Sequence, residues 1–284
     1  DNSGENGFAI AQFKLGVMYE YGKCVPQSDA GAIQWYRKAA DPNNDNSGEN
    51  GFAPAQYNLG VMYEKGKGVP QDEEEAVRWF RLAADQGHPQ AQFALGVMYE
   101  NGQGVPQNNF TAVEWYKKAA EQGYAKAQVN LGVCYEKGEG VDQNDVLAVE
   151  CYLTAAAQGD AKAQFNLGNC YYYGKGVEKS DKEAFEWYSK ALSSFLVLHS
   201  KETNSSFEIL KLIQILSSPT DTHLSEDHVD NSVTDTPIHN KENVLEIFKD
   251  IAVVKTIADC LENKSLSNAI CFLYHRTFKD VDPN

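Results

Sequence analysis

The sequence has no apolar run approaching the roughly 18–20 residues that cross a bilayer. It also shows no basic start followed by a short apolar stretch, so no secretory leader is visible. Basic residues are few: 25 Lys and Arg stand against 40 Asp and Glu, a formal net charge of −15. Nucleic acid and anionic membranes both require a basic face, so neither is expected as a partner, and no membrane insertion is expected. Protein or peptide partners are left. The six cysteines, Cys24, Cys134, Cys151, Cys170, Cys260 and Cys271, form no Cys-x-x-Cys pair. They are spread singly along the chain, and a secreted disulfide framework is not expected.

Catalytic signatures are absent too. There is no Gly-x-Gly-x-x-Gly opening a helix, no Walker lysine, no Gly-x-Ser-x-Gly and no His-Glu-x-x-His. Gly102-Gln103-Gly104 is glycine-rich, but it joins one helical pattern to another and reads as a turn. The expectation is a non-enzymatic protein with no cofactor. His223, Asp227, His228 and Asp230 are metal-ligating types. They match no metal spacing and sit in a polar stretch that reads as a solvated linker.

What the sequence has is a repeat. Leu59-Gly60, Leu95-Gly96, Leu131-Gly132 and Leu167-Gly168 follow one another at 36 residues, and Leu15-Gly16 lies 44 before the second. A fixed period in this range signals stacked supersecondary units. Within the copy at 88–123, Ala91, Leu95, Met98 and Tyr99 share one helical face. Ala112, Trp115, Tyr116, Ala119 and Ala120 share another. Gly102 is expected to end the first helix in a left-handed conformation, and Pro106 to stop it continuing. Asp72 with Glu75 reads as a capping box for the next helix. Cys134 and Cys170 stand where Met18, Met62 and Met98 stand in other copies, so they read as core residues. A helix pair this short cannot bury both faces alone, so copies must stack.

The motifs Ala-x-Ala-Gln-x-x-Leu-Gly-x-x-Tyr, Gly-x-Gly-Val and Ala-x-x-Trp-Tyr-x-x-Ala-Ala resemble the Sel-one-like repeat, a relative of the tetratricopeptide repeat. The resemblance covers roughly residues 8–192. It implies an all-α fold: a right-handed superhelical solenoid of stacked antiparallel helix pairs. Three departures stand out. Cys24 replaces the second loop glycine seen at Gly68, Gly104, Gly140 and Gly176. A positive φ there would cost Cys24 about 1 kcal/mol. Cys151 takes the tryptophan position, and Asn169 takes a valine position.

The expected organisation is an array of five repeats over 1–195, a capping helix over 196–216, a disordered acidic linker over 217–240 and a helical tail over 241–284. Residues 1–9 recur identically at 45–53, which suggests a duplicated block and a further repeat before residue 1. The chain opens on Asp1 rather than methionine, which leaves room for a leader upstream. Sequons at Asn109, Asn204 and Asn263 lean weakly toward export. A cytoplasmic location is expected, with the endoplasmic reticulum lumen or secretion as alternatives.

Function should lie on a surface. Related tetratricopeptide repeats bind peptides along a concave face of the first helix of each pair. Here that face would carry Lys14, Asn58, Ala94, Asn130 and Asn166 in one row. Val17, Val61, Val97, Val133 and Asn169 form the next, and Tyr21, Lys65, Asn101, Lys137 and Tyr173 the last. Asparagine offers a peptide backbone both donor and acceptor. The lysines would favour an acidic or C-terminal carboxylate end. Asn130→Ala is expected to spare stability and weaken binding. Glu20, Glu64, Glu100 and Glu136 also recur, and read as a solvated or salt-bridged ladder. Trp35, Trp79, Trp115 and Trp187 read as core, with Trp115→Ala costing about 3–5 kcal/mol. Two other roles are open: an accessory array of a larger signalling enzyme such as a protein kinase, and an exported or endoplasmic-reticulum adaptor in quality control.

Overall fold

The computed structural model describes residues 5–41 and 50–199. The linker, the tail and the capping helix fall outside them, except that 196–199 continue the last helix. Among the described residues there are ten helices and no strand. They are α1 Glu5–Tyr21, α2 Asp29–Ala40, α3 Ala53–Lys65, α4 Glu73–Asp85 and α5 Pro89–Asn101. Then come α6 Asn109–Glu121, α7 Ala125–Lys137, α8 Asp145–Ala157, α9 Ala161–Tyr173 and α10 Asp181–His199. The described residues divide into two compact units, one holding α1 to α8 and the other α9 and α10. The first unit is a solenoid of four stacked helix pairs, and the second contains a fifth pair.

Local signals set the helix ends. Gly66, Gly102, Gly138 and Gly174 end α3, α5, α7 and α9 with φ of +63 to +72°. The second helix of each pair starts on a side-chain cap. Asp72 Oδ1 accepts from the Glu75 amide at 2.9 Å, and Asn108 Oδ1 from Thr111 at 3.1 Å. The box at Asp72 closes only halfway. The Glu75 carboxylate turns to Arg78 at 3.1 Å and to the Trp79 indole at 3.0 Å instead.

Each pair closes on one aromatic. Tyr36, Phe80, Tyr116, Tyr152 and Tyr188 are fully buried. Each lies flat on the glycine of the Leu-Gly motif. A Cβ on Gly96 would sit 2.3 Å from the Tyr116 ring, and one on Gly168 would sit 2.4 Å from Tyr188. Only glycine admits that approach. The tryptophan beside it is more peripheral than its recurrence suggests: Trp115 keeps 8% of its surface exposed, and Trp35, Trp79 and Trp187 are half-buried. Their outer faces carry ammonium groups. Lys38, Lys118 and Lys190 stand 4.3, 4.1 and 4.1 Å above the rings of Trp35, Trp115 and Trp187.

Within the first unit, pairs are joined by a polar weld. Gln56, Gln92 and Gln128 are buried. Their amides donate to the carbonyls of Ala40, Ala84 and Ala120 of the preceding pair at 3.0, 3.1 and 3.2 Å. These carbonyls lie in the last turns of α2, α4 and α6, and those of Ala84 and Ala120 also accept from the Gly87 and Gly123 amides at 2.9 Å. Each glutamine oxygen then accepts from Gln86, Gln122 or Gln158 at 2.7, 2.7 and 2.9 Å. Arg37 and Arg81 add donation to the hydroxyls of Tyr63 and Tyr99 on the next pair.

The loop between helices packs as tightly. A Cβ on Gly104 would meet the Glu73 carbonyl oxygen at 2.3 Å. Cys24, at the corresponding place in the first loop, has φ +63° as its position requires, and it is exposed. Ala11 and Leu15 are exposed as well, although the pattern places them in the core. In later copies that side is covered by the preceding pair, and among the described residues α1 has none. Asn109, the first sequon, opens α6 with its Oδ1 buried.

Candidate functional site: the face of the first helices

In the first unit α3, α5 and α7 present equivalent side chains in rows. Asn58, Ala94 and Asn130 are half-buried. Val61, Val97 and Val133 are also half-buried. Lys65, Asn101 and Lys137, the last residues of their helices, are exposed. Seven residues separate Asn58 from Lys65. At 1.5 Å per residue that is about 10 Å along the axis, so lysine and asparagine rows flank the valines rather than adjoin. Lys14, in the asparagine row of α1, is exposed.

The asparagines have intramolecular duties. Asn130 Nδ2 donates to the Tyr116 hydroxyl at 3.2 Å. Asn58 makes the corresponding bond to Tyr36. In the second unit Asn166 is half-buried, and Asn169 Oδ1 accepts from the Tyr188 hydroxyl at 2.8 Å. Tyr173 is 63% exposed, with Tyr172 edge-on at 4.9 Å. Lys137 pairs with Glu139 at 3.7 Å, and Asn101 reaches Gln103 at 3.5 Å.

The glutamate ladder is not a freely solvated face. The tyrosine hydroxyls donate to it: Tyr36 to Glu20 at 2.5 Å, Tyr116 to Glu100 at 2.6 Å and Tyr152 to Glu136 at 3.0 Å. Burial, and then the carboxylate bond, push Tyr36 and Tyr116 well above the usual phenol range. Glu64 is the exception, because its partner position is Phe80. Burial raises the Glu64 carboxyl, Lys65 lowers it, and Glu73 raises it again.

Burial pushes the Cys134 thiol to about 12 and the Cys151 thiol to about 11, so neither is a ready thiolate. Burial lowers His88, whose Nδ1 caps α5 by accepting from Ala91 at 3.3 Å. No group of three or more metal-ligating side chains occurs among the described residues. None of the described helices is long and apolar enough to cross a membrane. Sequence reasoning missed the glutamine weld and the tyrosine–carboxylate bonds. Their signals were present: Gln86, Gln122 and Gln158 trail Gln56, Gln92 and Gln128 by 30 residues each, and the tyrosines trail their glutamates by 16.

Comparison with known proteins agrees with this geometry. The Sel1 repeat model matches at 9–43, 53–88, 89–124, 125–160 and 161–194. No curated protein matches the chain. Among solved structures, one similar to it is a protective antigen present in uropathogenic Escherichia coli strains displaying an SLR fold. Identity is 36% and TM-score 0.60, over 75% of this chain and 43% of that one. The present chain therefore spans less than half the length of that antigen. Another is a Sel1 repeat protein from Oxalobacter formigenes, at 33% identity and TM-score 0.59, over 72% of this chain and 78% of that one. Proteins built from this repeat generally serve as protein-interaction scaffolds and are typically non-catalytic. Five matched repeats, a stack of helix pairs and two Sel1-type structural relatives lead to one conclusion: this chain belongs to the Sel1 repeat family.

Proposed function

We propose that the protein is a non-enzymatic scaffold holding partner proteins or peptides against the face formed by α3, α5 and α7. One observation carries this reading. Val61, Val97 and Val133 stay half-exposed at the same register on successive first helices, between asparagines and exposed helix ends. The deep side of the same helices, with Leu59, Leu95 and Leu131, is buried. The outward side of the second helices is charged and exposed, as at Arg78, Glu114 and Lys117. An extended segment laid across the valines would bury apolar surface and find amide donors and acceptors beside it. Lys65 and the other rim lysines suit an acidic residue or carboxylate end at the margin.

The test is selection of displayed random decapeptides on the protein, then titration of the strongest one. Val97→Arg and Val133→Arg should each weaken it at least about tenfold, or about 1.4 kcal/mol. Glu114→Lys, on the outward side, should leave it unchanged. Loss through Glu114→Lys with both valine variants unaffected would move the working surface to the second helices.

A further inference from the structure

Along the first unit, one trio recurs across the joint between pairs. A carboxylate sits on the first helix, an aromatic on the second, and an asparagine on the first helix of the next pair. Glu20, Tyr36 and Asn58 form one, with the hydroxyl bonded to both neighbours. Glu100, Tyr116 and Asn130 form another, at 2.6 and 3.2 Å. The copy between them reads Glu64, Phe80 and Ala94.

Phe80 occupies the same seat as the tyrosines, since a Cβ on Gly60 would lie 2.5 Å from its ring. Ala94 and Val61 pack against the cluster that contains Phe80, and both stay half-exposed. What this copy lacks is the hydroxyl and the amide. What it keeps is the acceptor. Among the described residues no side chain donates a hydrogen bond to Glu64, and its carboxyl is half-withdrawn from water. Lys65 and Glu73 act on it from a distance with opposite signs. Two large polar groups are thus replaced by hydrogens or a methyl, beside an acceptor left short of a donor.

We propose that the patch of Glu64, Val61 and Ala94 lying over the buried Phe80 is the specificity site of the scaffold face and takes a lysine or arginine side chain of the bound peptide. This rests on the scaffold reading above. The aliphatic stem lies on Val61 and Ala94, as long cationic side chains do on apolar surface. The ammonium or guanidinium donates to Glu64 from its solvent side, in place of the donor that a tyrosine hydroxyl supplies from within in the neighbouring copies. A charged donor compensates a half-desolvated carboxylate better than a neutral one. The net charge of −15 favours approach of such a peptide.

The experiment uses the full chain and five pools of capped synthetic peptides with random flanks and a fixed central Lys, Arg, Leu, Glu or Tyr. Three proteins are titrated: the native chain, Glu64→Gln, and the double variant Phe80→Tyr with Ala94→Asn. The double variant installs the trio found in the neighbouring copies, so Glu64 gains an internal donor without the core being emptied. The Lys and Arg pools should bind the native chain at least about tenfold more tightly than the Leu pool. That preference should fall to about twofold or less in both variants. Equal binding of all pools, preference for Glu or Tyr, or a cationic preference that survives in the double variant overturns the proposal. If pools bind without preference and Val97→Arg abolishes binding, the Glu64 patch alone fails. If no pool binds, or binding ignores Val97→Arg, the scaffold face fails with it.

Discussion

Asn130 and Tyr116 meet across the joint between two repeats: the Asn130 amide donates to the Tyr116 hydroxyl at 3.2 Å, and that hydroxyl donates to Glu100 at 2.6 Å. The bond changes what Asn130→Ala should do. The sequence alone suggests an unchanged stability, but removing the amide leaves the hydroxyl a partner short. A loss of about 1 kcal/mol is expected. In a double-mutant cycle with Tyr116→Phe the two changes should couple by at least about 0.5 kcal/mol. Urea melts of the four proteins measure it, and strict additivity would show that the bond contributes nothing.

The close approach of Gly96 to Tyr116 gives a second expectation. Gly96→Ala normally favours a helix, by about 1 kcal/mol. Here the new methyl would sit 2.3 Å from ring carbons of a fully buried side chain. The overpacking cost of about 1–3 kcal/mol should win, so the variant melts earlier. An unchanged or raised melting point would mean that the pair can open without cost.

Much of this fold is legible in the sequence because its apolar residues repeat. Leu95, Met98 and Ala112 mark two helical faces, Gly102 marks a helix end, and Cys24 stands where φ proves positive. The polar contacts are harder to read. Glu100 reads as a surface row on its own, since its tyrosine lies on another helix and its asparagine partner on a third. Gln92 reads as part of a motif, but nothing in its neighbourhood along the chain says that it caps α4 of the preceding pair. Trp115 and Tyr116 are adjacent on the helical wheel, and the wheel cannot say which one meets the glycine. On the first-helix face Asn58 and Asn130 are already engaged with tyrosine hydroxyls, which the pattern along one helix does not reveal.

Cys24 predicts a gain. It holds φ +63° without a glycine's freedom. Cys24→Gly should stabilise the chain by up to about 1 kcal/mol, read as a higher urea midpoint with an unchanged slope. A lower midpoint would mean that its side chain makes contacts worth more than the strain.

Cysteine labelling separates the thiols. Cys24 is exposed, whereas Cys134 and Cys151 have pKa values near 12 and 11. Brief alkylation at pH 8 followed by peptide mass spectrometry should modify Cys24 first and leave Cys134 and Cys151 largely intact. Equal labelling of all three would contradict the packing of α7 against α8.

The phenols set an alkaline limit. Tyr116 is held neutral by burial and by Glu100, so its folded pKa lies above the unfolded value near 10. The folded state then holds the proton longer than the unfolded one. Stability from this group is complete below about pH 10 and declines as pH rises beyond it, by up to about 1.4 kcal/mol per pH unit. Tyr116→Phe should flatten the decline between about pH 10 and 11.5, read by chemical denaturation at each pH. An identical slope in the variant would mean that Tyr116 ionises without unfolding.

The central claim is that partners lie on the first-helix face, and site-specific photocrosslinking tests it most directly. Benzoylphenylalanine is placed singly at Val97, at Val133 and at Glu114, and each protein is irradiated with the selected peptide bound. Covalent capture from positions 97 and 133, with none from 114, is the predicted result. Capture from 114 alone would contradict the account and place the partner on the outward side of the second helices.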